Sequence, residues 1–286
     1  MSDSVKTAVR REVEGMRGEL LISRQGREPK KHFAPDPRIP SRDSVLQSFH
    51  HLPTRHGGAA ENMACDFLML QRYPEASLPR FRHYGWHRPA HTFGYGQKIA
   101  FIRSQLATAD GPMELCRRFT GGGLVDHRED WTYALVIPRG HPLESARAVE
   151  AYRAVHEKLA QALRDLGQPA ETKQACEGQP VSQPQKPPGV CFVKAECHDV
   201  IVPGTGVKIA GAAQKRTKHG LILQGSIWRP SAPAVTDWDA FLARFSEGLG
   251  EALGASPQAT PWPDFNEGEL EHLTETYASV EWTEQR

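Results

Sequence analysis

The chain has 286 residues, 39% of them apolar, which suits one large α/β domain or two small ones with a sizeable core. Its 35 Lys and Arg residues are balanced by 34 Asp and Glu residues. No global basic field is therefore available to hold a nucleic acid or an anionic membrane surface, and an acidic ligand must be bound locally.

Cysteine usage and hydropathy indicate the compartment. The five cysteines form no CxxC pair and are too sparse for a disulfide-rich secreted scaffold. The first residues lack the apolar core of a secretory signal, and no apolar run is long enough to cross a bilayer. We therefore expect a cytoplasmic protein with reduced thiols.

Composition divides the chain into three parts. Residues 1–42 are mostly polar and end in a stretch that is rich in Pro and charge, which predicts a mobile N-terminal extension. Residues 43–255 carry the periodic apolar patterns of a folded domain. Residues 256–286 are predicted to form a helical tail that packs on this domain.

Apolar spacing predicts the first elements of the folded domain. A helix is expected over residues 61–72, where Met63, Phe67 and Leu70 share a face. Short strands are expected in three segments rich in β-formers, and alternating apolar residues mark the last of them. These segments are 79–86, 113–119 and 131–138.

The second half of the domain begins with a long helix, for which Ser145 is the expected cap and Gly167 the expected stop. Its predicted apolar face contains Val149, Tyr152, Leu159, Leu163 and Leu166. A long irregular loop, rich in Pro and Gln, then leads to Val190. Three strands in an antiparallel meander and two final helices follow. The strand segments are 198–202, 207–217 and 220–228, and Trp238 and Leu270 mark the starts of the helical patterns.

The first candidate site is the segment Arg117–Gly123, which places two arginines beside three consecutive glycines. Glycines let backbone N–H groups approach a ligand closely, and arginines add forked donors for a phosphate or carboxylate. For the glycines alone, a flexible hairpin with solvated arginines is the alternative. The segment fits neither the standard phosphate loop nor the dinucleotide fingerprint.

The second candidate is Lys208, which enters a predicted strand of small residues that includes Gly211 and Ala212. Small residues leave room for a ligand against the backbone. A lysine at the entrance of a strand is usually solvated, but in a desolvated pocket it can polarise an acyl carbonyl or move a proton.

The third candidate is Cys191, shortly before the strand that carries Lys208. A buried, inert cysteine is the usual interpretation. A partly exposed thiol near a lysine, however, has its thiolate favoured and becomes a candidate nucleophile. Cys197, with His198 beside it, is a rival for this role.

Four motifs in one order make the chain resemble the biotin/lipoate protein ligase superfamily, on its lipoate-protein ligase A-like branch, which includes octanoyltransferases of the lipoate-ligase-like type. The resemblance extends from about Ser44 to Trp282. The motifs are Glu61-Asn62-Met63-Ala64 with Asp66, Trp86-His87-Arg88-Pro89 followed by Gly94-Tyr95-Gly96-Gln97, Arg117–Gly123 with Val125 and His127, and Lys208–Arg216.

This resemblance implies an α/β fold of the α+β kind, in which mixed, largely antiparallel sheets are flanked by helices as in class II aminoacyl-tRNA synthetases. It implies an apolar slot for an acyl chain, in which Lys208 contacts the acyl group beside Gly211 and Ala212. It also implies a ligand-binding loop formed by Arg118, Thr120, Gly121, Gly122, Gly123 and His127.

Three departures from the family's patterns are informative. The Gly-Arg-Gly-Arg loop of biotin ligases is absent, so biotin is disfavoured. Many relatives have a His-Gly-Ser strand where this chain has Gln224-Gly225-Ser226, which puts a role for a histidine there in doubt. The tail from about Ser256 is too short to be the accessory module of some ATP-dependent lipoate ligases.

The resemblance leaves two reactions open. An octanoyltransferase would take octanoate from acyl carrier protein through a cysteine thioester and pass it to a lysine of a lipoyl domain or a glycine-cleavage H-type protein. It would need no cofactor or metal. A ligase would activate free lipoate with ATP and Mg²⁺. A Cys-Phe pair precedes the lysine strand in such transferases, and Cys191-Phe192 resembles it, which favours transfer. A non-catalytic acyl-binding or carrier-binding module is a third possibility.

Overall fold

Two β-sheets, one of eight strands and one of three, organise the residues that the computed structural model describes, which are 48–106, 113–174 and 195–285. The strands in chain order are β1 (Ser48–Gly57), β2 (Arg80–Trp86), β3 (Ala90–Phe93), β4 (Glu114–Arg117), β5 (Val125–Asp126), β6 (Asp130–Pro138), β7 (Glu171–Thr172), β8 (Val200–Ile201), β9 (Lys208–Thr217), β10 (Gly220–Trp228) and β11 (Ser256–Ala259).

Helices lie between and after these strands. They are α1 (Ala59–Gln71), α2 (Ile99–Gln105), α3 (Pro142–Ser145), α4 (Ala148–Asp165), α5 (Trp238–Leu253), α6 (Glu267–Ala278) and α7 (Val280–Glu284), with a 3-10 turn at Arg229–Ser231. No helix in the described ranges is both long and apolar enough to span a membrane.

The larger sheet has the strand order β11-β1-β2-β6-β10-β9-β8-β7. β1 runs parallel to both of its neighbours, and the remaining pairs are antiparallel. The smaller sheet has the order β4-β3-β5, and its β3–β4 pair is parallel. The predicted fold of mixed, largely antiparallel sheets flanked by helices is therefore confirmed.

The main core lies between the larger sheet and the helices α4 and α5. Every second residue of β6, from Trp131 to Ile137, is buried in this core with Leu159 of α4 and Phe245 of α5. Burial of each such side chain contributes about 1.5–3 kcal/mol. Because this face of the sheet is filled by helices, a ligand can approach the larger sheet only from the other face.

The long helix begins later than the sequence predicts. Its N-cap is Arg147, whereas Ser145 ends the separate short helix α3. Pro142 starts α3, and the His141 side chain accepts a hydrogen bond from the amide of Leu143, so α3 has an N-terminal cap of its own. Gly167 does follow the helix, with a φ of 82° that only glycine adopts readily.

The apolar face of α4 agrees with the predicted one except at its start, since Tyr152, Leu159, Leu163 and Leu166 all pack in or against the core. Val149 is 39% exposed, while Ala151 and Val155 are fully buried. The start at Ala148 leaves Val149 in the first turn, at the rim of the helix–sheet contact. Leu159 and Leu163 are buried as predicted.

The meander and the last two helical patterns are confirmed as β8–β10, α5 and α6. The tail differs in one respect, because Ser256–Ala259 forms the edge strand β11 and pairs with β1. All four residues are exposed, so the sequence has no apolar alternation that would predict this strand. The domain boundary at residue 255 stays a prediction, and residues 1–42 lie outside the described ranges.

Candidate active site

A pocket lies between α1, the loop that joins β4 to β5, and the central strands of the larger sheet. It brings six of the predicted site residues together. Its lining residues are Met63, Tyr84, Thr92, Arg118, Gly122, Val125, His127, Thr132, Lys208, Gly211, Ala212, Ala213, Gln224, Gly225 and Ser226. That these residues bind a ligand stays a prediction.

The floor of the pocket is a row of short side chains across three strands. Thr132 of β6 pairs with Ser226 of β10, which pairs with Gly211 of β9. Neighbouring strands are about 4.8 Å apart, so this row is about 10 Å wide. Large side chains here would fill the space above the sheet, and their absence leaves a slot.

Two glycines, one in the loop between β4 and β5 and one that packs against it, are required there for different reasons. Gly122 has a φ of 89°, in the left-handed region that glycine adopts without strain. Gly94, at the end of β3, lies so close that a Cβ atom there would be 2.1 Å from the carbonyl oxygen of Gly122. Because the amide of Tyr95 also donates to the carbonyl of Thr120 at 2.8 Å, the loop is fixed against the smaller sheet.

Arg118 holds the loop between β4 and β5 by hydrogen bonds to its backbone. Its side chain is buried, with Nη1 donating to Thr92 Oγ1 at 2.7 Å. Nη2 donates to the carbonyl oxygens of Gly121 and Gly123 at 3.0 and 2.8 Å. The guanidinium therefore holds the shape of the loop, in addition to lining the pocket.

Arg117 does not serve as a ligand donor, contrary to the expectation from sequence. Its guanidinium is fully buried and donates to the carbonyl oxygens of Tyr95 and Gln97 at 2.8 and 2.7 Å. It also donates to the carbonyl oxygens of Trp282 and Thr283 in α7. Successive strand residues point to opposite faces, so only one of the two arginines can face the pocket.

Replacement of Arg118 by Ala is expected to destabilise the protein by about 2 kcal/mol, because two loop carbonyls and Thr92 lose a charged donor. We also expect weaker binding of an acyl donor, the ligand that the resemblance implies for this pocket, and therefore a higher Michaelis constant. Urea unfolding and steady-state kinetics measure the two effects. Arg128→Ala, which removes an exposed guanidinium paired with Asp126, is the control and should change stability by less than about 0.5 kcal/mol. Equal effects of both variants would contradict the supporting role.

His127 is oriented by a buried carboxylate that sequence analysis did not identify. Its Nδ1 lies 2.7 Å from Asp130 Oδ2, and its Nε2 lies 2.7 Å from Thr92 Oγ1. A carboxylate only accepts, so Nδ1 donates to Asp130 and Nε2 accepts from the Thr92 hydroxyl. Thr132 and Ser226 also donate to Asp130 Oδ2, at 2.7 and 2.5 Å. The imidazole is thus held in one tautomer at the edge of the pocket.

Gln224, which stands where many relatives have a histidine, links the loop to α1. Its Oε1 accepts from Thr120 Oγ1 at 2.6 Å, and its Nε2 donates to Asp66 Oδ2 at 2.6 Å. Asp66 also accepts from Arg82 Nε at 2.7 Å and from the hydroxyl of Tyr84. An amide offers the donor and the acceptor that this bridge requires, so Gln224 has a structural role here.

Lys208 is buried rather than solvated. Its Nζ lies 2.8 Å from Asp199 Oδ2, and the two side chains are 5% and 1% exposed. Asp199 precedes β8 in the chain, and β8 pairs with β9. The sheet therefore brings a charged pair to the end of the pocket floor.

The cysteines differ in their suitability as nucleophiles. Burial raises the pKa of the Cys116 thiol to about 12 and also raises that of Cys65. Both thiols are therefore protonated at neutral pH and poorly nucleophilic. Cys197 is half-buried. Cys191, the predicted nucleophile, lies outside the described residues, so its role stays a prediction.

Three buried aspartates hold the pocket, and the sequence motifs include only one of them, Asp66. Asp66, Asp130 and Asp199 each hold a polar side chain of the pocket. One available signal was the spacing of Asp130 three residues after His127. The other was the position of Asp199 in the strand segment before Lys208. Burial makes these carboxylates significant, and burial depends on the assembled sheet.

The fold is that of lipoate-protein ligase catalytic domains. A lipoate-protein ligase A structure with bound ATP superimposes with a TM-score of 0.62 at 18% identity, covering 83% of this chain and 98% of that one. A bi-partite lipoate protein ligase of Thermoplasma acidophilum gives a TM-score of 0.60 at 19% identity, covering 83% and 96%.

Residues 58–231, more than half of the chain, match the lipoyl protein ligase A/B catalytic domain, and the chain belongs to this family. Among curated relatives, octanoyltransferase LipM of Halalkalibacterium halodurans is 33% identical over 186 residues, which are 64% of this chain and 66% of the relative. Octanoyltransferase LipM of Exiguobacterium sp. is 26% identical over 274 residues, 84% of this chain and 99% of the relative.

Proposed function

We propose that the protein is an octanoyltransferase of protein lipoylation, which moves an octanoyl group, or a lipoyl group, onto a lysine of a lipoyl domain through a cysteine thioester. The observation that carries this proposal is the buried Lys208 at the end of a slot floored by small residues. Octanoyltransferase relatives support it.

The reaction would proceed in two steps on one thiol. The Cys191 thiolate attacks the carbonyl carbon of the octanoyl thioester, and the donor leaves as a thiol after it takes up a proton. The amine of the target lysine then attacks the acyl-enzyme, loses a proton, and displaces the Cys191 thiolate as the amide forms. Lys208 donates a hydrogen bond to the oxyanion of each tetrahedral intermediate.

The partners in this proposal are octanoyl acyl carrier protein as donor and a lipoyl domain, or a glycine-cleavage H-type protein, as acceptor. No cofactor or metal takes part in the transfer. The acyl chain would lie along the small residues of β9 and β10, where Gly211 and Gly225 leave the backbone accessible to it.

An ATP-dependent lipoate-protein ligase is the second candidate, because an ATP-bound ligase shares the fold. In that reaction Arg118 and the loop glycines would hold the adenylate phosphate, with Mg²⁺. The guanidinium of Arg118, however, donates to Thr92, Gly121 and Gly123. Because these donors hold the loop, they favour the transfer reaction, which requires the loop to keep its shape but does not require it to bind a phosphate.

One assay separates the candidates. Apo lipoyl domain is incubated with the protein and either octanoyl carrier protein without ATP, or free lipoate with ATP and Mg²⁺, and the product is weighed by mass spectrometry. We expect an octanoylated domain in the first mixture. Product only in the second mixture would establish the ligase, and product in neither would leave an acyl-binding module.

A further inference from the structure

The carboxylate that pairs with Lys208 is itself held from two other directions. Asp199 Oδ2 accepts from the amide of Glu196 at 2.6 Å, and Oδ1 accepts from the hydroxyl of Tyr152 at 2.6 Å. The Tyr152 oxygen in turn accepts from the amide of Ala212 at 2.8 Å. Both oxygens of this buried carboxylate are thus fixed. The Tyr152 hydroxyl connects the carboxylate to Ala212 of β9, the strand that forms part of the pocket floor.

The ion pair lies directly over Gly211. A Cβ atom at this position would be 2.6 Å from Lys208 Nζ and 2.9 Å from Asp199 Oδ1. Any side chain would therefore displace the pair. Gly211 belongs to the row of the pocket floor with Ser226. Because glycine has no side chain, nothing at position 211 separates the Lys208 ammonium from the slot.

The charge of Lys208 depends on this pairing. A buried ammonium is disfavoured against the neutral amine unless an opposite charge lies close to it. Asp199 supplies that charge at 2.8 Å, in a site where the two side chains are almost completely buried. Removal of the carboxylate alone would leave the ammonium without compensation.

The other titratable groups around Lys208 do not replace the carboxylate. Burial raises the pKa values of Tyr152 on α4 and Tyr133 on β6, so both stay neutral. Burial lowers the pKa of His156 on α4 to about 4, so its ring is neutral at physiological pH. His198, next to Asp199, carries no negative charge in either protonation state.

We propose that Asp199, held by Tyr152, is a positioning residue that keeps the Lys208 ammonium charged and directed across Gly211 at the acyl carbonyl. This inference rests on the proposed function. The ammonium keeps its proton and donates a hydrogen bond as the carbonyl oxygen gains negative charge, and the same contact persists when the oxyanion collapses and the thiolate leaves. In this role Asp199 acts through Lys208, with which it forms the ion pair.

The test compares Asp199→Asn with Tyr152→Phe in the full chain, by kcat, KM for octanoyl carrier protein, and the pH profile of transfer. Asn keeps the shape and removes the charge. We expect Asp199→Asn to lower kcat roughly tenfold or more with KM nearly unchanged. The alkaline limb of its profile should move to lower pH, because the buried ammonium loses its proton more easily without a counter-charge. Tyr152→Phe should lower kcat by about fivefold, the equivalent of one hydrogen bond.

Tyr73→Phe is the matched control, because this substitution also removes a buried tyrosine hydroxyl, one that is hydrogen-bonded to His50 away from the pocket. It should retain wild-type kcat. Wild-type kcat and an unmoved alkaline limb in Asp199→Asn would overturn the inference, as would an equal loss in Tyr73→Phe. If Asp199→Asn does not fold, Tyr152→Phe and Gly211→Ala, which displaces the pair, decide by the same kcat and pH criteria.

The proposed function is judged separately, on the wild type. Failure of the wild type to transfer octanoate from carrier protein refutes that function. If it instead forms product from free lipoate and ATP, the same variants are compared on that reaction. A lower kcat of the Asp199 variant in the ligase reaction, with the alkaline limb of its pH profile moved to lower pH, would support the role of Asp199. Wild-type kcat and pH profile in that variant would refute it.

Discussion

Replacement of Cys191 by Ala is expected to abolish octanoyl transfer and to leave the fold intact. In the proposed mechanism the thiolate forms the acyl-enzyme, so no other step can compensate for its loss. Intact-mass analysis of the wild type with octanoyl carrier protein should detect one octanoyl adduct, labile to hydroxylamine as a thioester is. The variant should show no adduct and an unchanged melting temperature.

The course of the chain around Lys208 supports this expectation. The described residues resume at Ala195, and the next amide, of Glu196, donates to the carboxylate that pairs with Lys208. Position 191 comes only four residues before Ala195 in the chain, and the place of its thiol stays a prediction. A thiolate close to a cationic lysine is both populated and nucleophilic at neutral pH.

Cys197→Ala is the matched control for the Cys191 variant, because Cys197 is half-buried and lies in the same connection. It should retain both adduct and activity. An adduct on Cys197 in the wild type would move the nucleophile to that residue within the same mechanism. Full activity of Cys191→Ala, with product formed only when ATP is present, would replace the transferase by the ligase.

Much of the fold was predictable because most helices and strands bury one face, and the apolar residues of that face recur in the sequence with the period of the element. The meander β8–β10 and the helix α5 follow from such patterns. β11 did not, since its four exposed residues are held by backbone pairing to β1 alone. The start of α4 was missed because Pro142 forms an independent turn that ends at the expected cap, Ser145.

The site was predictable at the level of motifs but not of partners. Gly122 and Lys208 lie in one pocket, as their motifs indicated. The different roles of Arg117, which ends β4, and Arg118, which follows it, depend on where that strand ends and how successive side chains alternate. Asp199 acquires its role only when β8 pairs with β9, a contact that the local sequence does not contain.

Replacement of Lys208 by Ala is expected to lower kcat roughly 100-fold while KM for the acyl donor changes little, because a donor to the oxyanion acts mainly in the transition state. A loss of stability of about 3–5 kcal/mol should accompany it, since a buried Asp199 without its partner is costly. Steady-state kinetics and urea unfolding measure the two effects. An unchanged kcat at saturating donor would leave Lys208 without a chemical role.

The double variant Lys208→Met with Asp199→Asn separates chemistry from stability. It removes both charges and fills the space with side chains of similar volume, so that no buried charge is left without a partner. We therefore expect the double variant to regain most of the unfolding free energy that Lys208→Ala loses, while its kcat stays as low as that of Lys208→Ala. Recovery of both quantities would mean that the pair serves the fold alone. Recovery of stability without activity would mean that the ammonium, oriented by Asp199, takes part in acyl transfer.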